Sequence, residues 1–424
     1  MAYRQAEPIA ALNVRDYNLS EVIQLIHHNG AMSRAELCRE TGLSAPTISA
    51  LANVLINSGL INDAGEAESS GGRRPILMQF QYQARYAIGV DLGATHITST
   101  LINLAGTSVA TRSVIFDAMH DPLAAIEVVH THLKELLHET KIPISDVLGV
   151  GIAAPAPLEG EGLNRLSPII LPAWKDIDLK QEIKRDFEDL LIYVDNDANA
   201  GALAEKWWGK GRGYSNMAYI KLGTGVGSGL IINDDIFRGS AGTAGEIGHT
   251  TISSDGPLCR CGNHGCMESY VGSPAIIANV ASQLKKRSIP GVDPNNIRVG
   301  DLAKAAREGD TNAIHIVEEA GVHLGIAIAN MLNLLNPGLI VLGGDIVAAG
   351  PVLIKAVEKT ALSRAIPKAG KEVAISSSDL GDDVVAIGAA TLVFHHAFQP
   401  SMIANILSSK KEVVRKTTTG VVIR

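Results

Sequence analysis

Hydrophobic residues between Leu19 and Leu55 recur every three or four positions in three separate bursts. Leu19, Val22, Ile23 and Ile26 predict a first helix that stops at Asn29-Gly30. Ser33 with Glu36 three residues on has the form of a capping box, so a second helix is expected through Ala35, Leu37 and Cys38 as far as Thr41-Gly42. After the turn Leu43-Ser44, the positions Ile48, Leu51, Val54 and Leu55 predict a third helix, closed by Ser58-Gly59. Helix, glycine-containing turn, helix is the pattern of a helix-turn-helix. Leu60-Ile61, an acidic polar stretch over 62–70, the tip Gly71-Gly72-Arg73-Arg74-Pro75 and a strand Ile76–Phe80 then predict a wing.

From Tyr86 the pattern changes to short continuous apolar runs broken by glycines, which predicts buried strands of an α/β body. The run Tyr86–Val90 enters Asp91-Leu92-Gly93-Ala94-Thr95 and leaves through His96–Ile102. In such a turn Asp91 can hold a hydrated cation, Gly93 lets backbone N–H groups approach a phosphate, and Thr95 can donate to its oxygens. A second hairpin, Ala218–Leu222, passes through Gly223, Thr224, Gly225 and Gly227 into the strand Leu230–Asn233. A third run, Leu339–Leu342, ends in Gly343-Gly344, where backbone could lie against an adenine or ribose. Two such hairpins and a glycine-ended strand, in that order, predict an actin-like (ribonuclease H-like) two-lobed fold of the ATPase type. Between 325 and 344, Asn330, Asn333, Asn336 and Pro337 interrupt the apolar run, so it reads as a buried helix and strand rather than a membrane span.

A chain of 424 residues is too long for one core. The expected division is a winged helix-turn-helix over 1–82, a small lobe over 83–198 completed by a C-terminal helix at about 383–398, a large lobe over 199–382 with an oligomerisation surface, and a tail over 399–424. Aromatics are 4% of the chain, which argues against stacking platforms for single strands. The net charge of −7 excludes a uniformly basic coat, so DNA contact has to be local. The third helix carries no charged residue, which leaves base reading to Ser44, Thr47, Ser49 and Asn53, and phosphates or a minor groove to Arg15, Arg34, Arg73 and Arg74. Three-helix units also serve as dimerisation modules. No signal-like apolar core opens the chain, so a cytoplasmic protein is expected. Lys410-Lys411 and Arg415-Lys416 read as a solvated tail.

Two clusters carry candidate chemistry. After the strand Ile192–Val194 comes Asp195-Asn196-Asp197-Ala198-Asn199, ahead of a helix over Ala200–Trp207. A carboxylate there, facing an interlobe cleft, can accept a proton from a sugar hydroxyl or simply hydrogen-bond it, while its neighbours cap the helix. Further on, His249 precedes Cys259, Cys261 and Cys266, one nitrogen and three sulfurs that match a closed tetrahedral zinc site, with His264 as an alternative ligand. Such an ion would be structural and would fix Glu246 and Glu268 beside the cleft.

These pieces resemble the ROK family of repressors and sugar kinases over essentially the whole chain. The matching motifs are DLGAT (91–95), GIAAPAP (151–157), NDAN (196–199), the loop 223–229, GEIGH (245–249), CRCGNHGCMES (259–269) and LGGD (342–345). In the front, SRAELCRETGLSAPTIS (33–49) and GGRRP (71–75) are similar to the DNA-reading part of ROK repressors. The resemblance implies zinc on His249, Cys259, Cys261 and Cys266. It also implies sugar contacts from Asn196, Asp197, Glu246, His249 and Glu268, with help from Ser167-Pro168. Asp197 would be the catalytic base if the protein is a kinase using ATP and Mg2+. Ala94 stands where kinases usually carry Gly, His96 where they often carry Lys, and Ile169 where many members place Asn. The first two weaken ATP handling. The expected function is therefore a sugar-responsive regulator, a homodimeric or homotetrameric repressor released from operator DNA by a mono- or disaccharide. An ATP-dependent sugar kinase is the alternative.

Overall fold

The computed structural model describes residues 13–66, 76–155, 157–159, 165–167, 171–285, 287–404 and 406–407. Three helices open the chain: α1 (Val14–Asn29), α2 (Arg34–Thr41) and α3 (Ala45–Asn57). The strands β1 (Met32–Ser33), β2 (Ile61–Glu66) and β3 (Ile76–Phe80) form a small antiparallel sheet in the order β1-β3-β2, which is the base of the wing. The expected capping box is present: Ser33 Oγ accepts from Glu36 N at 3.2 Å, and the Glu36 carboxylate accepts from Ser33 N at 2.7 Å. Leu19, Ile23, Leu37, Ile48, Leu55 and Met78 are fully buried in one core.

The body repeats one design. In the first lobe, β4 (Tyr86–Leu92), β5 (His96–Asn103), β6 (Ser108–Ile115), β7 (Val147–Ala154) and β10 (Leu191–Asn196) form a sheet, with β8 (Leu158–Glu159) and β9 (Arg165–Leu166) as a separate hairpin. Helices α4 (Pro122–Thr140) and α5 (Leu179–Lys184) cover it. The second lobe takes α6 (Asp197–Trp208) and then β11 (Met217–Leu222), β12 (Val226–Ile232), β13 (Asp235–Ile236), β14 (Leu339–Gly343) and β15 (Ala374–Ser377). Its further helices are α7 (Glu268–Val271), α8 (Ser273–Leu284), α9 (Val299–Arg307), α10 (Thr311–Leu335), α11 (Pro351–Arg364) and α12 (Pro367–Lys371), and α13 (Val384–Ala397) closes the body. The sheets run β6-β5-β4-β7-β10 and β13-β12-β11-β14-β15. Each is an antiparallel meander whose first strand also pairs in parallel with the fourth, and the fourth with the fifth. Both strand orders are therefore the same, which is the internal duplication of an actin-like body.

Helices α6 and α13 form the layer between the sheets. A Cβ at Gly388 would lie 1.8 Å from the Ala200 carbonyl, so only glycine allows this approach. Trp208 Nε1 donates to Thr391 Oγ1 at 2.7 Å across the same contact. The DNA-reading head rests on these two helices through a hydrophobic cluster common to both. Ser20 Oγ of α1 donates to the Phe398 carbonyl at 2.6 Å, and the His27 ring lies 4.4 Å from Trp207 and 5.1 Å from Trp208 between centroids.

Two boundaries differ from the sequence reading. Helix α6 begins at Asp197 rather than Ala200, because Asn196 caps it by accepting from Ala198 N at 2.9 Å. The stretch read as a tail from residue 399 starts as helix over 400–404 and 406–407, and Ile403 and Ile406 are buried in the cluster that holds the head.

Candidate functional site

A cleft of about 550 Å³ opens between the lobes, walled by both glycine turns, the start of α6 and the Glu246–Glu268 loop. The parallel strand β10 brings Asn196 to its mouth, and the turn into α6 points Asp197 inward. Of the expected sugar ligands, Asn196, Asp197, Glu246, His249 and Glu268 all line this one space. Ser167 is buried on β9's exit, and Pro168 and Ile169 lie outside the described residues.

The carboxylates are organised by cations that the sequence reading missed. Lys221 on β11 donates to Asp197 at 2.5 Å. Burial pulls the Lys221 ammonium toward losing its proton, but Asp197 and Asp91 together outweigh this and raise its pKa. Arg260 pairs with Glu268 at 2.7 Å, and the other oxygen of Glu268 accepts from Val226 N at 2.8 Å. Arg238 holds Asp195 at 2.6 Å, and Asn199 adds a bond to the same carboxylate at 2.8 Å. Asp195 is thereby a brace, leaving Asn196 and Asp197 to face the cleft. Glu246 lies 4.0 Å from His249, and burial raises its pKa. One signal could have revealed Lys221: a lone charge in the apolar strand that leads into the second glycine loop.

At the first turn, Asp91 is buried and its Oδ2 bonds His96 at 3.1 Å. Burial would raise the Asp91 pKa, yet Lys221 and His96 keep it below the ordinary value; the bond to Asp91 in turn raises that of His96. The second oxygen of Asp91 is buried and has no partner among the described residues, which fits a cation or bound ligand. Thr95, Gly223, Thr224, Gly225, Gly227 and Gly344 line the cleft. Gly93 and Gly343 instead serve close packing, since a Cβ there would strike the His96 ring at 2.4 Å and the Tyr219 hydroxyl at 2.1 Å.

The loop that carries His249 and the three cysteines forms one wall. Ligand atoms of His249, Cys259, Cys261 and Cys266 all lie within 4.8 Å of one another, a set that can hold a metal ion. His249 Nδ1 faces Cys259 Sγ at 3.6 Å while its Nε2 faces Glu246. One imidazole thus joins the candidate metal site to the cleft. His264 stays outside this cluster, exposed and bonded to the Gly256 carbonyl at 3.1 Å.

On the head, the outward face of α3 carries Pro46, Ala50, Asn53 and Asn57, with Thr47 and Ser49 half-buried at its flanks. Ser44 is exposed and caps α3, sharing a 2.8 Å bond with Thr47. Asn57 was not singled out in the sequence. Arg34 is half-buried at the first turn of α2 and Arg15 is exposed, while Arg73 and Arg74 lie outside the described residues.

A duplicated two-lobed body closing on a carboxylate-lined cleft, joined to a winged head, combines a sugar-kinase-like fold with a DNA reader. The chain belongs to the ROK family, whose model matches residues 87–396, and a winged helix-turn-helix DNA-binding model matches residues 15–62. It is 32% identical to the xylose repressor of Bacillus spizizenii over 388 residues, 90% of this chain and 96% of that one. A ROK family transcriptional regulator, a homologue of the Escherichia coli Mlc protein, superposes with a TM-score of 0.77 at 25% identity, over 93% of this chain and 99% of its own. A ROK family glucokinase from Streptomyces griseus, solved with glucose and AMPPNP, superposes at 0.65 with 26% identity, over 73% of this chain and 99% of its own. No helix among the described residues is long and apolar enough to cross a membrane.

Proposed function

We propose that the protein is a sugar-responsive repressor of carbohydrate-metabolism genes, released from operator DNA when a mono- or disaccharide fills the interlobe cleft. The observation that carries this reading is the path of α6. Its first turn presents Asn196 and Asp197 to the cleft, and its last turn presses Trp207 and Trp208 against His27 of the DNA-reading head. A helix of this length is a rod of about 18 Å, so a lobe closure felt at one end moves the seat of the head at the other. Sugar can drive the change only by binding one arrangement more tightly. Moving the balance from 1:99 to 99:1 takes about 5.5 kcal/mol of differential affinity, which a constellation of hydroxyl contacts can supply.

In this reading zinc occupies the His249, Cys259, Cys261 and Cys266 cluster as a closed structural ion. The protein works as a cytoplasmic homodimer or homotetramer, its two readers about 34 Å apart on one DNA face. DNA contact falls to Ser44, Thr47, Ser49, Asn53, Arg34 and the wing arginines Arg73 and Arg74. The test is operator binding, followed by fluorescence anisotropy on the region upstream of its own coding sequence, with saturating pentoses, hexoses and N-acetylated sugars. One sugar should lower the affinity by about tenfold or more. An affinity that no sugar moves sinks the proposal.

A sugar kinase of hexokinase type is favoured by one observation, the unpartnered Asp91 oxygen beside the second glycine loop, where Mg2+ and ATP phosphates would fit. The ion pair of Asp197 with Lys221 opposes it, because a base so held has less pull on a hydroxyl proton. ADP release that Asp197→Asn abolishes would favour the kinase.

A further inference from the structure

A second cavity lies outside the interlobe cleft. Its volume is about 500 Å³, close to that of the cleft and within the usual range for small-molecule sites. It opens between the DNA-reading head and the body, at the far end of α6 from Asp197. One face of α1 supplies Tyr17, Ser20, Glu21, Gln24, His27 and His28, at the spacing of a helical stripe. This stripe is polar and aromatic, whereas Leu19, Val22, Ile23 and Ile26 of the same helix fill the head's core. The body supplies Lys206 and Trp207 from the end of α6, the turn between β12 and β13, and Phe398 and Gln399 after α13.

The body wall is held in place. The turn is two residues long, and Asn233 and Asp234 have φ of 52° and 67°, the left-handed pair that such a hairpin needs and that Asn and Asp tolerate. Lys206, with 5% of its side chain exposed, donates to Asp234 at 2.5 Å and to the Tyr214 carbonyl at 3.0 Å. His395 lies 3.3 Å from Asp235. Basic side chains therefore face both acids of the turn, so an ion of either sign gains little net attraction. Burial lowers the pKa of His27 and of His28, which leaves both rings neutral near neutral pH. The other side chains suit hydroxyl groups. Glu21, Gln24, Asn233 and Gln399 offer carboxylate and amide partners, donors and acceptors together. Trp207, Phe398 and Tyr17 offer aromatic faces, on which the C–H face of a sugar ring can pack.

We propose that this cavity is a second saccharide site, separate from the cleft, which takes a neutral mono- or disaccharide between the head and the body. Its walls come from both parts, so a ligand there binds the docked arrangement of the head and not a parted one. The two sites stand at opposite ends of α6, and any coupling between them is reciprocal. The proposal goes beyond the repressor reading and does not need the cleft to be filled.

The test is calorimetry on the full chain with D-xylose, D-glucose, maltose, putrescine and glucose 6-phosphate. It compares wild type, Asp197→Asn, and the double variant Glu21→Ala with Gln24→Ala. Glu21 and Gln24 are exposed on α1 and alanine favours a helix, so the double variant keeps its fold. A neutral sugar should occupy a site whose affinity Asp197→Asn leaves unchanged. The double variant should weaken that site by about tenfold to a hundredfold and leave the cleft as it is. Hydrogen exchange in α1 should slow when the sugar binds to wild type, and should not respond in the double variant. A single sugar site per chain, weakened by Asp197→Asn, overturns the inference and leaves the repressor reading intact. A second site that the double variant does not change also overturns it, because the sugar then lies elsewhere. Putrescine or glucose 6-phosphate at this site in place of every neutral sugar overturns the saccharide class. A sugar bound here while none shifts operator affinity overturns the repressor reading alone.

Discussion

Asp197 is the residue on which the proposed sugar recognition and the question of catalysis converge. It sits at the first position of α6, is 8% exposed, and carries a bond from Lys221 at 2.5 Å. A hydroxyl entering the cleft meets a carboxylate already oriented by an ammonium, a good acceptor for a charge-assisted hydrogen bond. Such bonds contribute about 1.5–3 kcal/mol, so Asp197→Asn should weaken the effector sugar by about tenfold to a hundredfold, read by calorimetry. Affinity of the sugar-free protein for operator should stay unchanged, because Asp197 lies at the cleft end of α6, away from the head. Equal sugar affinity in wild type and variant would remove Asp197 from the site. The type of this residue, and its place in NDAN, were readable from the sequence. Its partner was not: Lys221 is 24 positions away, and only the lateral pairing of the body's strands and helices brings the two together. Arg260 was hidden for another reason. Between two cysteines of a metal loop it passes for filler until the fold swings it onto Glu268.

At the scale of elements, the helices of the head were readable because propensity, caps and apolar spacing agreed at Ser33–Glu36 and at Ile48–Leu55. The seat of the head was not, since it depends on residues some 180 to 380 positions apart: His27 against Trp207 and Trp208, Ser20 against Phe398. This junction has a pH dependence. Burial, with added repulsion from His28 and Arg212, lowers the His27 pKa to about 3, and burial with repulsion from His395 and Arg238 lowers that of His396 to about 4. The folded protein therefore keeps both rings neutral where the unfolded chain, with pKa near 6.5, takes up protons. Stability is full above about pH 6.5 and falls as pH drops toward 3, by at most a few kcal/mol for His27. Thermal unfolding should show Tm declining from pH 7 to pH 5, and the Tm difference between wild type and His27→Phe should shift in favour of the variant as pH falls. Parallel curves would mean that His27 titrates freely and that the junction is looser than described.

The whole molecule is a duplicated body in which one wall of the cleft is tied to a loop that can hold a metal ion and the opposite end of the central helices is tied to a DNA reader. The duplication was only partly legible, because the glycine turns mark the hairpins β4-β5 and β11-β12 but nothing in the sequence marks the shared strand order. His249 is the link with the widest consequence. Its Nδ1 faces Cys259 in the cluster that can hold a metal and its Nε2 faces Glu246, so a bound zinc would fix the tautomer and aim of a ring that lines the cleft. Among the described residues the head's core cluster, by contrast, contains none of the loop's cysteines, and it is closed by Ile403, Ile406 and α1. Loss of the metal should therefore separate the two functions. Protein purified with one zinc per chain and then stripped by a chelator, or carrying Cys259→Ser, should still bind operator DNA but should release it only at much higher sugar concentration, by about tenfold or more. Metal content, operator anisotropy and sugar titration on the same sample decide the matter. A metal-free chain that keeps the full sugar response would show that the loop braces itself through its own backbone bonds, such as Cys259 N to the Asn263 carbonyl at 2.7 Å. A metal-free chain that loses operator binding as well would show that the wall and the head are one cooperative unit.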